Sequence, residues 1–402
     1  MCNFKISNTF VADKECIMQL NRTIEIPLRE YGMKYPVIAL TGPRQSGKTT
    51  LLKILFPDYE YVSLENRDNR SFAETDPNGF LDKYPEKVIL DEVQRIPPLF
   101  SYIQTRVDES RVMGQYILSG SQNFHLMENI TQSLAGRVAI FKLFPFDFQE
   151  LSTNNLLNDD YLENLVKGFY PAIYDREIPS RVFYSNYIQT YLQRDVSELI
   201  AVKDIRQFQN FLGLCATRAG QLLNLNSLAT DCGISQPTAK AWLSALENSY
   251  ILFQLFPYHE NFSKRIVKTP KLYFYDTGLL CHLLKITTRD QILTHPVKGS
   301  LFENMMVAEF VKRIHHKYTF QDVWFWRDSA GHEVDFIIQD GQQLNLVEIK
   351  AGQTVMPDMF NGLNRWEKLS GQKNLLKTLV YGGNERQTRS LGNVLPWNEF
   401  GK

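Results

Sequence analysis

The chain has 402 residues, of which 44% are hydrophobic and 22% charged, a composition typical of folded proteins with about two to four domains. Lys plus Arg and Asp plus Glu both number 44, so any contact with nucleic acid or membrane must come from a local patch. The five cysteines form no C-x-x-C pair, which argues against a disulfide framework and a zinc cage. The sequence has no leader-like apolar segment and no run of about 18 apolar residues, which predicts a cytoplasmic protein without a membrane partner.

A glycine-rich loop at residues 42–49 reads Gly-Pro-Arg-Gln-Ser-Gly-Lys-Thr and matches G-x-x-x-x-G-K-[ST]. Its glycines let successive backbone N–H groups surround a phosphate. Residues 35–41 predict a buried strand before the loop, and residues 50–55 predict a helix after it. We expect Lys48 to reach the β- and γ-phosphates and Thr49 to hold Mg²⁺. The predicted nucleotide-binding residues are Gly42, Pro43, Arg44, Gln45, Ser46, Gly47, Lys48, Thr49 and Thr50.

A second strand pattern, residues 87–92, ends in an acidic pair about forty residues after the loop. Asp91 is predicted to bind Mg²⁺ through water, and Glu92 to orient the attacking water. The strand pattern of residues 114–119 is followed by Ser121, which is our first candidate for a side chain that senses the γ-phosphate. Ser119 is the reserve, and ordinary turn chemistry explains the same residues almost as well.

Arg137 lies at the head of a predicted edge strand. It is either an ordinary salt-bridge partner or a catalytic arginine finger that neutralises charge on the leaving phosphate. The finger role includes action in a neighbouring subunit, so a homo-oligomer is one of the open alternatives.

Five motifs of this first part lie at residues 42–51, 90–94, 118–121, 134–137 and 145–151, and four more lie at residues 168–171, 191–196, 271–279 and 299–304. Together they resemble the bacterial and archaeal AAA-type ATPases that have a C-terminal domain of unknown function. The resemblance covers nearly the whole chain. It implies ATP binding, a parallel α/β core with a helical lid, a winged-helix region and a nuclease-like C-terminal fold.

We therefore expect an α/β protein with four parts. They are a P-loop AAA-type core with a parallel sheet (1–152), a helical lid (153–215), a winged helix–turn–helix region (216–275) and a restriction-endonuclease-like domain (276–402). In the lid, Arg194 and Asp195 are candidates for a second sensor or an inter-domain ion pair, and an ordinary helix surface is the alternative.

Residues 225–246 have helix–turn–helix spacing, with Gly233 in the turn and Ser235 capping the second helix. Two β-rich runs at residues 250–256 and 271–275 fit a wing, and the loop between them contains Lys264, Arg265 and Lys268. These cations would lie on DNA phosphates if the second helix entered the major groove. The face of that helix is rather neutral, so a packing role stays open; it consists of Gln236, Thr238, Lys240 and Ser244.

From residue 299 the pattern predicts the order αβββαβ. Glu348 and Lys350 are two residues apart on one strand and project from the same face, and Asp335 on the adjacent strand can meet them. With Glu303 on the preceding helix, these carboxylates are predicted to bind one Mg²⁺, while Lys350 positions a water for attack on a phosphodiester. The segment resembles the PD-(D/E)XK nucleases, and both active cleavage and a catalytically silent fold stay open.

The leading interpretation is an ATP-binding and ATP-hydrolysing AAA-type protein whose nucleotide state controls a DNA-facing, nuclease-like C-terminal part, with ATP and Mg²⁺ as cofactors. One alternative is a nucleotide-gated regulatory switch that binds DNA or a protein and has a silent nuclease-like fold. Another is a nuclease of mobile-element defence or DNA repair.

Overall fold

The structure is a computed structural model that describes residues 20–121, 123–192, 205–258, 267–372 and 374–400. Several residues discussed above lie outside the described ranges, namely Cys2, Cys16, Arg194, Asp195, Lys264 and Arg265. Across the described ranges, no helix has both the length and the apolar character needed to cross a membrane.

The first part of the chain is built on a five-stranded parallel sheet. Its strands are β1 (Val37–Thr41), β2 (Glu60–Ser63), β3 (Val88–Asp91), β4 (Tyr116–Ser119) and β5 (Val138–Lys142). Their spatial order is β2-β3-β4-β1-β5. Every residue of β1, β3 and β4 is buried, as their continuous apolar sequences predict for strands covered on both faces. Because all five strands are parallel, the turns after β1, β3 and β4 share one edge of the sheet.

Helices cover both faces of this sheet. They are α1 (Glu25–Gly32), α2 (Lys48–Leu55), α3 (Arg67–Thr75), α4 (Pro77–Lys83), α5 (Leu99–Ser110) and α6 (Asn123–Ser133). Alternate residues of β1 enter opposite cores: Ala39 belongs to the core that contains Phe100, and Ile38 to the core that contains Leu52. The sheet is therefore a rigid platform for the turns at its carboxyl edge.

The middle of the chain is mostly helical, as predicted for its described residues. Its helices are α7 (Phe148–Thr153), α8 (Tyr161–Lys167), α9 (Pro171–Asp175), α10 (Ser180–Tyr187), α11 (Ile205–Thr217), α12 (Leu225–Cys232) and α13 (Gln236–Asn248). A π-helical turn, Ile188–Leu192, follows α10. The turn between α12 and α13 has the predicted chemistry, because Gly233 has φ +71° and the Ser235 hydroxyl accepts a hydrogen bond from Thr238 N.

An antiparallel ribbon of β6 (Leu252–Leu255) and β7 (Lys271–Phe274) follows the two helices. Three further helices come next, namely α14 (Thr277–Leu283), α15 (Arg289–Thr294) and α16 (Lys298–His316). These elements have the order expected of a helix–turn–helix with a wing, and its DNA-binding role stays a prediction.

The C-terminal part is a six-stranded mixed sheet. Its elements are β8 (Asp322–Arg327), β9 (Glu333–Asp340), β10 (Gln343–Lys350), α17 (Asn361–Ser370), β11 (Leu375–Tyr381), β12 (Gln387–Arg389) and β13 (Gly392–Pro396). The spatial order is β12-β13-β11-β10-β9-β8. The predicted αβββαβ order is present from α16 to β11. The sequence analysis missed β12 and β13, which are only 3 and 5 residues long.

Helix α16 connects the ribbon to this sheet. Its Asn304 is fully buried; the Oδ1 atom accepts from Phe274 N at 2.8 Å and the Nδ2 atom donates to Phe274 O at 2.9 Å. The amide thus pairs with the backbone at the end of β7 as a neighbouring strand would. It satisfies two buried backbone groups at once.

Replacing Asn304 by Leu, which has a similar volume, should leave both Phe274 backbone groups unpaired. We expect a loss of about 2 to 4 kcal/mol in the free energy of unfolding, measured by urea denaturation followed by circular dichroism. Asn226→Leu, at an exposed position of α12, is the matched control and should change stability little. Equal stability of the two variants would contradict the pairing role of Asn304.

Candidate functional site

The loop between β1 and α2 has the backbone conformation that its glycines predict. Gly42 has φ +144°, and a Cβ atom there would lie 2.0 Å from Leu143 O. Gly47 has φ +93° and caps α2, so the helix begins at Lys48, two residues earlier than the sequence pattern indicated. The buried Lys48 ammonium donates to Gly42 O at 2.9 Å and to Pro43 O at 2.8 Å. The amino end of α2 and this ammonium together offer the N–H donors and positive charge that suit an anion.

Asp91, at the end of β3, faces the loop. Its Oδ2 atom accepts hydrogen bonds from Thr49 Oγ1 at 3.1 Å and from the Tyr61 hydroxyl at 2.6 Å, and its Oδ1 atom accepts from Ser119 Oγ. The structure therefore brings Thr49 and Asp91 together as the sequence predicted. A hydroxyl and a carboxylate oxygen at this spacing suit Mg²⁺, which prefers hard oxygen ligands.

Tyr61 is a partner that the sequence analysis missed. Burial and the hydrogen bond to Asp91 raise the pKa of Tyr61 well above its usual value, so it remains a donor at physiological pH. Ser119, the reserve sensor candidate, lies beside Asp91 at the end of β4. Because β4 pairs with both β1 and β3, it lies between the strand that precedes the loop and the strand that ends in the acidic pair.

Glu92 has φ +57°, a left-handed conformation that is strained for a residue with a side chain. Its Oε2 atom accepts from Gln94 Nε2 at 2.6 Å and from Ser121 Oγ at 3.3 Å. These two donors hold the carboxylate beside the cavity that Lys48 also lines. Ser121 thus contacts Glu92, and its predicted role as a phosphate sensor stays a prediction.

A cavity of about 420 Å³ lies over the loop. Residues of the loop and of the acidic pair line it on one side, and the α9 segment closes the other. The loop residues are Arg44, Gln45, Gly47, Lys48, Thr49 and Thr50. From the α9 side come Pro171, Asp175 and Arg176, and the sequence analysis did not single out this arginine. The cavity is therefore lined by three cationic side chains, those of Arg44, Lys48 and Arg176.

Arg137 lies away from this cavity. Its carbonyl accepts from Val37 N at the start of β1, whereas the loop follows the end of β1. The five residues of β1 place the amino and carboxyl edges of the sheet about 16 Å apart. The guanidinium pairs with Asp108, with Nε 2.5 Å from Oδ1. Within one chain, the structure corrects the finger interpretation in favour of the salt-bridge alternative, and action in a neighbouring subunit stays a prediction.

A second polar cluster lies in the C-terminal part. Oxygen atoms of Glu303, Glu333 and Asp335 all lie within 4.8 Å of one another. The Lys271 ammonium contacts Glu303 Oε1 at 2.8 Å and also pairs with Glu333. The Tyr273 hydroxyl donates to the same Glu303 oxygen at 2.6 Å. The sequence analysis named Glu303 and Asp335 but missed Glu333 and Lys271 as members of this site.

Glu348 and Lys350 lie next to Asp335, as predicted. The Lys350 Nζ atom is 2.5 Å from Glu348 Oε1 and 3.4 Å from Asp335 Oδ2, and Asp335 Oδ2 also accepts from Ile349 N at 2.8 Å. Burial and the charge of Asp335 raise the pKa of Glu348 to about 8. The structure therefore groups all four predicted nuclease residues, and their metal-binding and catalytic roles stay predictions.

A buried network joins the nucleotide-binding loop to the C-terminal end of α16. Arg22 donates to Ser46 O in the loop at 2.9 Å and pairs with Glu150 Oε1 at 3.0 Å. Glu150 and Asp147 form a capping box at the start of α7, and Asp147 Oδ2 lies 2.8 Å from His316 Nδ1. All of these side chains except Ser46 are charged or titratable, and each is at least nine-tenths buried.

The comparison with known families divides the chain into three matched segments. Residues 34–152 match the family described as an AAA domain. This segment is similar to AAA domains and contains the P-loop, and it is called the AAA domain below. Residues 158–290 and 298–400 match two families described as domains of unknown function, DUF8612 and DUF4143 respectively. The AAA match supports nucleotide chemistry at the loop and says nothing about the other two segments.

Two mycobacterial proteins resemble this chain over most of its length. The uncharacterized proteins Mb2031c of Mycobacterium bovis and Rv2008c of Mycobacterium tuberculosis are each 29% identical over 343 residues. The alignment covers 84% of this chain and 76% of each relative. Among solved structures, the Walker-type ATPase PABY2304 of Pyrococcus abyssi is 16% identical with a TM-score of 0.41, covering 66% of this chain and 96% of its own. Protein VC1899 of Vibrio cholerae is 12% identical with a TM-score of 0.22, covering 90% and 95%.

A buried carboxylate on α16 makes the contact between the AAA domain and the C-terminal part sensitive to pH. Glu309 accepts from Phe148 N at 2.7 Å, and its other oxygen lies 3.3 Å from Lys312 Nζ. Burial raises the pKa of Glu309 to about 7, although Lys312 opposes the shift. Because the folded state then holds a proton that the unfolded state releases, this residue stabilises the fold most below about pH 4.5.

We expect that contribution to be lost as pH rises from about 4.5 through about 7. Glu309→Gln should therefore gain thermal stability relative to the parent protein as pH increases from 5 to 8, measured by differential scanning fluorimetry across this range. Glu74→Gln, at an exposed position of α3, is the control and should follow the parent at every pH. A constant difference between Glu309→Gln and the parent would show that Glu309 titrates normally.

Proposed function

We propose that this protein is a Mg²⁺-dependent ATPase whose nucleotide state is passed to a DNA-facing, nuclease-like C-terminal part. The observation that supports the ATPase activity best is the convergence of Lys48, Thr49, Asp91 and Glu92 on one cavity. Lys48 and Thr49 begin α2, Asp91 ends β3 and Glu92 follows it, so all four lie at the carboxyl edge of the parallel sheet. That edge is where ligands bind in open α/β sheets.

The roles follow from the chemistry of each side chain. Lys48 and the N–H groups at the start of α2 bind the phosphates, and Thr49 and Asp91 hold the metal ion. Bound Mg²⁺ supplies charge neutralisation on the phosphate oxygens. Glu92 accepts a hydrogen bond from the attacking water and orients it, while Gln94 keeps the carboxylate in place. Arg176 from the α9 segment faces the same cavity and is suited to contact the γ-phosphate.

Lys48→Ala removes the only lysine among the residues that line this cavity. We expect ATP affinity to fall about 10- to 100-fold, because a charge-assisted hydrogen bond contributes about 1.5 to 3 kcal/mol, and hydrolysis to fall to background. Isothermal titration calorimetry with Mg·ATP and a phosphate-release assay measure the two effects. Lys34→Ala, at an exposed position before β1, is the control. Unchanged ATP affinity in Lys48→Ala would contradict the placement of the site.

Two contacts support transmission from the nucleotide to the rest of the chain. The first is the buried network from Ser46 through Arg22 to α16. The second is a hydrogen bond of 2.8 Å between Thr41 Oγ1, at the end of β1, and the hydroxyl of Tyr250 between α13 and β6. Both begin next to the loop that binds the phosphates. A change in loop conformation therefore alters contacts with both later parts.

Tyr250→Phe tests the second contact with the loss of one oxygen atom. We expect ATP affinity to stay within about twofold of the parent, because Tyr250 lies outside the phosphate-binding loop. The change in hydrogen exchange of β7 on adding ATP should become smaller in this variant, measured by mass spectrometry. Tyr102→Phe, on the surface of α5, serves as the control. A full ATP response in Tyr250→Phe would argue against transmission through this hydroxyl.

The DNA-facing role is supported by the α12–α13 turn and the ribbon that follows it. The exposed side of α13 presents Gln236, Lys240 and Ser244, and Lys268 is exposed at the end of the ribbon. The polar side chains of α13 favour hydrogen bonds to bases, and Lys268 is suited to contact phosphates.

A second candidate function is a nucleotide-gated switch with a catalytically silent nuclease-like part. The position of the Lys271 ammonium between Glu303 and Glu333 favours this alternative, because a cation of the chain itself already neutralises these carboxylates. A cleavage assay with plasmid and single-stranded DNA in Mg²⁺ or Mn²⁺, with and without ATP, distinguishes the two functions.

A further inference from the structure

The Lys271 side chain connects the β6–β7 ribbon to the C-terminal part, which the sequence analysis assigned to different domains. It projects from β7 of the ribbon and is only 2% exposed. Its Nζ atom lies 2.8 Å from Glu303 Oε1 on α16 and pairs with Glu333 at the start of β9. The same atom lies 5.5 Å from the centre of the Phe325 ring on β8. Three elements thus enclose one ammonium group.

The ammonium occupies the space that a metal ion would need. Glu303, Glu333 and Asp335 each offer an oxygen within 4.8 Å of the others, which is the spacing of ligands around one cation. Divalent ions sit about 2.0 to 2.6 Å from their oxygen ligands, so an ion bound by Glu303 and Glu333 would overlap an ammonium that contacts both. Like charge would also disfavour a second cation beside the first.

An independent observation at Glu348 points to a metal ion as a ligand of this cluster. Glu348 is 8% exposed, and its Oε2 atom is buried without a hydrogen-bond partner among the described residues. Its other oxygen contacts Lys350, which also contacts Asp335. A buried carboxylate oxygen without a donor is unfavourable, and a metal ion bound next to Asp335 would satisfy it.

The backbone of Lys271 is held in place by the ribbon and its neighbours. Its backbone pairs with Leu255 in β6 and forms a bridge with Leu222 on its other side. The end of the same strand is paired with Asn304 of α16. Withdrawing the ammonium from the carboxylates therefore requires either a new side-chain conformation in a buried space or a shift of the ribbon against α16.

We infer that Lys271 is a tethered counter-cation that keeps divalent metal ions out of the Glu303–Glu333–Asp335 cluster until the β6–β7 ribbon shifts away from α16. The inference rests on the proposed nuclease-like role of this cluster and specifies its regulation. The site then takes either the ammonium or a divalent ion, but not both.

The test is Mn²⁺ binding without nucleotide, measured by electron paramagnetic resonance on the full chain. Lys271→Met retains the aliphatic length and removes the charge, and we expect it to bind Mn²⁺ at least tenfold more tightly than the parent. Lys268→Met, exposed near the ribbon, is the matched control and should bind like the parent. Lys271→Arg retains the charge and should also bind like the parent. Adding Asp335→Asn to Lys271→Met should abolish the gain, which locates the ion in the cluster.

Lys271→Met should be less stable than the parent in the absence of metal, because its carboxylates then lack a counter-cation. A thermal-shift measurement therefore provides a second test. Mn²⁺ should raise its melting temperature and leave that of the parent unchanged. Equal Mn²⁺ affinity in Lys271→Met and the parent would overturn the inference and leave the metal-binding role intact. No Mn²⁺ binding by either protein, with no thermal shift, would overturn both the inference and the proposed nuclease-like role.

Discussion

Charge buried between the parts of this chain must be paired within the fold, and that requirement holds the parts together. Arg22, the Asp147–Glu150 capping box and His316 come from three distant stretches of the chain, and each of the four side chains is at least nine-tenths buried. Removing one member of a buried ion pair costs about 3 to 5 kcal/mol, because the remaining charge has neither water nor a partner. Separating the nucleotide-binding loop from the end of α16 would therefore break several buried charge contacts together.

Helix α16 extends from this buried network to the carboxylate cluster of the C-terminal part. Glu303 and His316 are thirteen residues apart on one continuous helix, which corresponds to about 20 Å along its axis. One end contributes to the carboxylate cluster with Lys271, and the other contacts the AAA domain. A helix that is buried along most of its length moves as a unit. No break in the helix separates His316 from Glu303.

The features predictable from sequence were those encoded by neighbouring residues. The loop glycines, Thr49 and Asp91 follow from short motifs and strand patterns, and Asp335, Glu348 and Lys350 follow from a period of two along adjacent strands. Tyr61, Arg22 and Lys271 act through partners 30, 128 and 32 residues away, and no local pattern reveals such contacts. Arg137 is the reverse case, because a motif suggested a catalytic role and the direction of β5 places the residue at the other edge of the sheet from the loop of its own chain. Position along a parallel strand decides which edge a residue reaches.

The balance of charges at the surface differs from that of the whole sequence. The net charge is +0, yet among the described residues burial removes five Lys or Arg and eight Asp or Glu from the surface. The buried cations pair with several of these acids, as Lys312 does with Glu309 and Arg22 with Glu150. The part of the described chain that faces solvent therefore loses more acid than base on folding. A sequence with no net charge is therefore compatible with contact to a polyanion. Phosphates interact with the charges exposed on the folded surface, and the overall composition does not determine those charges.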